Sequence, residues 1–259
     1  MINIIGITGK VGSGKSTIGK MIQYLTYNKE VIPKEFSLNL KLDIFGQHIN
    51  HGCKWQIKSF AHKIKQIASI ITGFPIEKFE DRKFKESFLG DEWNLPENNC
   101  PLSYIEAFKN VQFTRIISVR EFLQKIGTEC MRNNLHPNTW INALWVDYKK
   151  EIFEYDVTTR SAYIRRKEKY PRWCITDVRF KNEAQSIRDR NGIIIKLTKN
   201  LDSKDKHQSE KEIEEIKEDY IIDNKNKTIE ETLKDVKKLL IKLKIIQNGN
   251  NKSTIRLST

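Results

Sequence analysis

The chain has 259 residues, enough for one large domain or two small ones. Hydrophobic residues make up 38% and charged residues 31%, which supplies a sizeable core and argues against wholesale disorder. Forty-six Lys plus Arg against 33 Asp plus Glu leave a formal charge of +13 and a pI near 9.4. Polyanions are therefore the expected partners, although a Lys-, Asn- and Ile-rich sequence from an AT-rich genome would carry the same excess. Cys53, Cys100, Cys130 and Cys174 never stand at C-x-x-C spacing, which argues against a zinc ribbon or a redox pair. Their density is too low for a secreted disulfide scaffold. No apolar run is long enough for a bilayer, so no membrane association is expected. MINIIGITGK lacks a basic start followed by a long apolar stretch, so no signal peptide is expected either and the setting is cytoplasmic.

In chain order, residues 2–8 (INIIGIT) form a short apolar run that predicts a buried strand of a parallel sheet. A helix follows at once over 15–25, with Ile18, Met21, Ile22 and Leu25 at helical spacing. Residues 54–61 alternate as a second strand. Residues 63–72 form a helix with Ile64, Ile67, Ala68 and Ile71 on one face, stopped by Gly73. The stretch 74–114 is polar, carries Pro75, Pro96 and Pro101, and predicts irregular structure in an inserted subdomain. Ser118 followed by Glu121 is a capping box for a helix over 118–131, and 138–152 predicts another amphipathic helix. Residues 156–170 are basic and expected to be exposed. Strands are predicted over 172–176, 192–197 and 219–223, with helices over 182–190 and 228–246. The stretch 199–218 is highly charged, and 248–259 is a polar tail. Strands alternating with helices predict an α/β fold: a parallel five-stranded sheet covered on both faces. The core spans 1–73 and 172–246, the inserted helical region 74–171, and the flexible tail 247–259.

One motif carries chemistry outright. Gly9 to Ser16 reads GKVGSGKS and meets G-x-x-x-x-G-K-[ST] at every defined position, between an apolar strand and an amphipathic helix. Such a loop closes backbone N–H groups on phosphate oxygens, and the helix N-terminus favours the anion. Lys15 would bridge the β- and γ-phosphates, and the Ser16 hydroxyl would face Mg²⁺. Gly9, Lys10, Gly12, Ser13, Gly14, Lys15, Ser16 and Thr17 are thus the ATP-binding candidates. The motif specifies a nucleoside triphosphate but not the reaction.

A second constellation is Asp177-Val178-Arg179-Phe180-Lys181-Asn182-Glu183. Asp177 stands where an apolar strand ends, which is where open α/β sheets bind ligands, and its carboxylate could hold Mg²⁺. The bland alternative is a helix-capping Asp followed by an ordinary Arg179–Glu183 surface pair. A third is REFLQKIGTECMR, from Arg120 to Arg132, in which Gly127 and Thr128 interrupt a helical pattern. Trp140 follows on a helix, where a tryptophan serves the core more often than it stacks on a base.

Together these pieces resemble the deoxynucleoside monophosphate kinase family of tailed phages and large DNA viruses. The resemblance rests on GKVGSGKST, SFAHKIK, REFLQKIGTECMR followed by NTW, ITDVRFKNEA, and HQSE at His207 to Glu210, and runs across most of the chain. Departures are His62 where the family has an aspartate, a basic insertion over 155–170, and the tail after Ile246. The resemblance implies ATP and Mg²⁺ at Lys15 and Ser16. It implies a deoxynucleotide held at Gly127, Thr128, Trp140, Asp177, Arg179 and Glu183, with Lys63 and Arg132 as further phosphate contacts. The stretch 199–210 fits a lid, with Lys199 or Lys206 as a cation. Lys15, Asp177 and Arg179 are the expected catalytic residues, and Ser16 and Asp177 the metal ligands.

The implied reaction is phosphoryl transfer from ATP to a deoxynucleoside monophosphate (dNMP), giving the diphosphate and ADP. The acceptor phosphate is already anionic, so positioning and charge neutralisation suffice. The implied partners are small-molecule nucleotides in the cytoplasm (of the host, for a viral protein), with no specific nucleic acid and with a homodimer left open. The alternatives are a P-loop kinase for another small phosphorylated metabolite, with Asp177 as base, and a nucleic-acid-dependent ATPase. A GTPase is disfavoured, because Asn224-Lys225-Asn226-Lys227 lacks the aspartate that reads guanine.

Overall fold

The computed structural model describes residues 2–26, 55–96, 113–156, 164–198 and 208–247. They fall into two compact units: Met1–Ser59 with Asp147–Thr259, and Phe60–Val146.

The first unit is built on five parallel strands. They are β1 (Ile4–Thr8), β2 (Trp55–Lys58), β7 (Arg172–Val178), β8 (Ile193–Thr198) and β9 (Tyr220–Asp223), in the spatial order β2-β7-β1-β8-β9. All pairings are parallel. β1 lies at the centre, and all five of its residues are buried. That follows from cover on both faces. Ile5 and Ile7 pack with Ile18, Met21 and Ile22 of α1 (Lys15–Thr26) and with Val236 and Leu240 of α8 (Ile229–Lys242). Gly6 faces the other way. A Cβ there would lie 2.7 Å from Ile187 of α6 (Lys181–Arg188), so the missing side chain lets that helix close on the sheet. α8 opens on a full capping box: Thr228 accepts from the Glu231 N–H, and the Glu231 carboxylate accepts from the Thr228 N–H.

An antiparallel hairpin, β5 (Glu151–Asp156) with β6 (Ile164–Lys169), belongs to the same unit. It corrects one expectation and adds structure to a second. The helix predicted over 138–152 ends at Trp145, and part of the basic stretch 156–170 is paired strand. The reason is the segment EIFEYD, whose β-branched and aromatic residues favour a pleated ladder over a further helical turn. Tyr148 stacks on Tyr170 with ring centroids 5.1 Å apart and meets Trp173 of β7 edge-on at 4.7 Å.

The second unit contains α2 (Ala61–Thr72), α3 (Arg82–Glu86), the short pair β3 (Leu95–Pro96) and β4 (Phe113–Arg115), α4 (Val119–Gln124), and α5 (Thr139–Trp145). Between α4 and α5 the chain runs through a π-helical segment, Lys125–Asn133. α2 was expected in the sheet core, but it groups with this unit because it packs on the π-helical segment and on α5. The stretch expected to be irregular has short helical turns at Ile76–Glu80 and Asp91–Trp93, with Phe79 fully buried against Phe84. Only half of the expected capping box at Ser118 forms. Its hydroxyl accepts from the Glu121 N–H at 3.2 Å, while the Glu121 carboxylate pairs with Arg115.

Candidate active site

The loop between β1 and α1 carries the expected phosphate-binding residues. Gly9, Gly12 and Gly14 take φ values of 147°, 79° and 93°, a region that side chains disfavour. A Cβ on Gly9 would sit 2.9 Å from the Ser13 hydroxyl and 3.0 Å from the Leu197 carbonyl oxygen, so the loop is also closed to larger residues by contact. The Lys15 ammonium lies over the loop, donating to the carbonyl oxygens of Gly9 at 2.5 Å and Lys10 at 2.8 Å. Ser13 is buried, and its Oγ and that of Thr8 have no partner among the described residues. The Ser16 side chain is exposed at the first turn of α1, and Thr17 is half-buried beside it. Lys10 pairs with Glu214 of α7 (Gln208–Glu215) at 3.1 Å, both side chains well exposed.

Asp177 stands at the penultimate position of β7, and the register pairs the next residue, Val178, with Thr8 at the end of β1. The end of β7 and the start of the loop are therefore neighbours across one rung of the sheet. Asp177 is half-buried, and its Oδ2 accepts from the Ser59 hydroxyl at 3.0 Å. Ser59, the residue after β2, was not singled out from the sequence. The cue available there was a polar side chain at the carboxyl end of a strand. The alternative of a helix-capping Asp177 is replaced by this sheet-end placement.

Glu183 does something different from a surface partner of Arg179. It is 3% exposed, and its Oε2 accepts from the backbone N–H groups of Arg179 at 2.8 Å and Phe180 at 3.1 Å. The carboxylate thus ties the turn between β7 and α6 and sets where Arg179 leaves the chain.

The remaining candidates lie in the second unit. Lys63 is half-buried in the first turn of α2; Gly127, Thr128 and Arg132 are in the π-helical segment; Trp140 is in α5. Trp140 is 5% exposed, and its indole N–H donates to the Gly127 carbonyl at 2.7 Å. Its visible role is to hold the π-helical segment. Gly127 is buried, and a Cβ there would meet the Ile64 Cδ1 at 2.9 Å, so α2 approaches closely. Lys199, Lys206 and His207 lie outside the described residues, as does most of the expected lid.

For Mg²⁺, the two candidate donors are a hydroxyl, Ser16 in the first turn of α1, and a carboxylate, Asp177 near the end of the adjacent strand β7, oxygen types that suit a hard ion keeping water and substrate oxygens. Among the described residues, no three His, Cys, Asp or Glu side chains gather as a metal site, and no helix is long and apolar enough to cross a membrane.

Comparison with known proteins gives the family. The family model for deoxynucleotide monophosphate kinase matches residues 98–236, more than half of the chain. The match includes the π-helical segment, the β7–α6 turn and β9, and leaves the Gly9–Ser16 loop to be read on its own geometry. A protein of Acanthamoeba polyphaga mimivirus, provisionally named deoxynucleotide monophosphate kinase, is 36% identical over 115 residues, 43% of this chain and 55% of that protein. The matched region thus spans about half the length of that relative. The deoxynucleoside-5'-monophosphate kinase of Escherichia phage T5 is 23% identical over 209 residues, 73% of this chain and 72% of that protein. With a parallel sheet, a phosphate-type loop and a family match over its larger part, the chain belongs to the deoxynucleotide monophosphate kinase family.

Proposed function

We propose that the protein transfers the γ-phosphoryl group of ATP to a deoxynucleoside monophosphate. The observation that supports this best is the loop at Gly9–Ser16: three glycines at positive φ, an ammonium over the loop, and buried hydroxyls lining it. A helix N-terminus behind such a loop offers N–H groups and dipole to a polyphosphate.

In this reading Lys15 swings from the loop carbonyls onto the β- and γ-phosphates, neutralising charge that grows along the transfer path. Ser16 and Asp177 would hold Mg²⁺, which supplies charge neutralisation and orients the phosphate chain. Ser59 fixes the Asp177 carboxylate in place. Arg179 presents its planar guanidinium to the acceptor phosphate, a geometry that lysine does not reproduce. Glu183 acts one step back, by setting the turn that carries Arg179. Gly127, Thr128, Arg132 and Lys63 are assigned to the acceptor, with Trp140 holding the segment they share. Because the acceptor oxygen is already anionic near neutrality, no strong general base is called for.

The test is ATP with each of the four dNMPs and each of the four ribonucleoside monophosphates, with products separated by thin-layer chromatography. Conversion of at least one dNMP to its diphosphate is expected. Phosphorylation of none of the eight acceptors, alongside phosphorylation of another small phosphorylated metabolite, would replace this reading by the rival kinase.

A further inference from the structure

We infer that Asn224 is a positioning residue for the phosphate-binding loop, aiming one of its backbone N–H groups. This rests on the reading of Gly9–Ser16 as the ATP site.

Asn224 follows the last strand, β9, and its Nδ2 donates to the Ser13 carbonyl oxygen at 2.7 Å, across 211 residues of sequence. The contact is close on the other side of the same peptide too, since a Cβ on Gly14 would lie 3.4 Å from that nitrogen. The backbone that carries this carboxamide is tied to the sheet. The Asn224 N–H donates to the Thr198 carbonyl at 3.1 Å, extending the β8–β9 ladder. The Asp223 carboxylate accepts from the Thr198 hydroxyl at 3.0 Å and from the Lys225 N–H at 3.1 Å. The turn then closes through Asn226 at φ 53°.

A trans peptide is planar, so its carbonyl and its N–H point in opposite directions. Fixing the Ser13 oxygen on Asn224 therefore fixes the direction of the Gly14 N–H. That N–H belongs to the loop at the entry of α1, whose helical hydrogen bonding begins with the Ile18 N–H on the Gly14 carbonyl at 3.0 Å. Gly14, at φ 93°, has wide freedom of its own, so an outside tether is what selects one orientation. The orientation of the carboxamide is set by chemistry, because only its nitrogen can donate to a carbonyl. The sequence pattern Asn224-Lys225-Asn226-Lys227, dismissed as a base-reading motif for want of an aspartate, thus acquires a different use.

The test compares Asn224→Asp, which keeps the shape but loses the donor, and Asn224→Ala with the wild type. The readouts are Mg·ADP affinity by calorimetry, the KM for ATP and for dNMP, and the melting temperature. Asn224→Ala should bind ADP about tenfold more weakly, the worth of one hydrogen bond, and Asn224→Asp at least as weakly because its charge also faces the phosphate loop, each with a matching rise in the ATP KM. The dNMP KM should stay at the wild-type value, and the melting temperature should fall by no more than about 8 °C, the size expected for one hydrogen bond. Unchanged ADP affinity, or equal rises in both KM values, would overturn the assignment. Lys15→Ala measured in parallel separates the two claims. If it loses ADP binding while the Asn224 variants keep it, the tether fails alone; if all three keep it, the loop is not the ATP site.

Discussion

The Gly9–Ser16 loop and the Lys125–Asn133 segment both depart from ordinary helix and strand, by opposite means. The loop carries its departure in its own residues, as glycines at positive φ, with one of its peptides also tied from outside, by Asn224. The π-helical segment carries none of its own: Gly127 has no positive φ and no special turn depends on it. It is held from outside, by the Trp140 N–H on the Gly127 carbonyl and by Ile64 against the Gly127 Cα. A locally encoded site can lose its functional side chain and keep its shape. A site held from outside loses shape when a distant residue changes.

The largest expected effect is on the loop side. Lys15→Ala should lower turnover by about 10³-fold, the order of removing one transition-state charge stabiliser, with the fold unchanged by circular dichroism. Retained activity in a folded variant would break the comparison at once. Next comes Glu183→Ala, which removes the carboxylate acceptor of the Arg179 and Phe180 N–H groups. Losing two charge-assisted hydrogen bonds should cost about 2–4 kcal/mol, read as a lowered urea midpoint. Glu183→Gln, which keeps an acceptor, should recover most of it.

These expectations also show how far the sequence could be read. The glycine spacing announces the loop, the apolar runs announce the five strands, and Thr228 with Glu231 announces the last helix, because each signal lies within a few residues of its effect. Ser59 on Asp177 and Asn224 on Ser13 join residues 118 and 211 positions apart, and no periodicity reports such pairs. Glu183 was visible as a candidate, but its use was not. The bland alternative was a surface pair with Arg179 and the resemblance implied the deoxynucleotide, whereas the buried carboxylate accepts from the backbone. The hairpin over 151–169 was missed because an apolar pattern compatible with a helix had strand-forming residues in it, and pairing decided between them.

Smaller effects sharpen the contrast. Arg179→Lys keeps the charge and loses the fork, so the dNMP KM should rise about tenfold while the ATP KM moves little. An effect confined to ATP would displace Arg179 from the acceptor. Trp140→Phe leaves the Gly127 carbonyl without its indole donor and should cost about 1–2 kcal/mol of stability, where a change of similar size inside the loop alters function instead.

Acid should act on the sheet unit with the smallest amplitude. Asp223 is held below the usual carboxylate range by the Lys225 N–H and the Thr198 hydroxyl, Glu231 by hydrogen bonds with Thr228, and Asp235 by Lys227. A lowered folded pKa means that their stabilisation is complete above the ordinary value of about 4 and is lost as pH falls through the lower folded value. Hydrogen exchange around β9 and α8 should therefore quicken relative to the central strand in that acid window, and a flat ratio would remove these carboxylates from the account.

The central claim is that the two regions serve one transfer between small nucleotides, despite a net charge of +13 that would suit nucleic acid. The most direct measurement is ATP turnover in four mixtures, with and without dNMP and with and without DNA. Turnover that requires dNMP and ignores DNA is the predicted result. Hydrolysis stimulated severalfold by DNA while dNMPs do nothing would contradict it and make the protein a nucleic-acid-dependent ATPase.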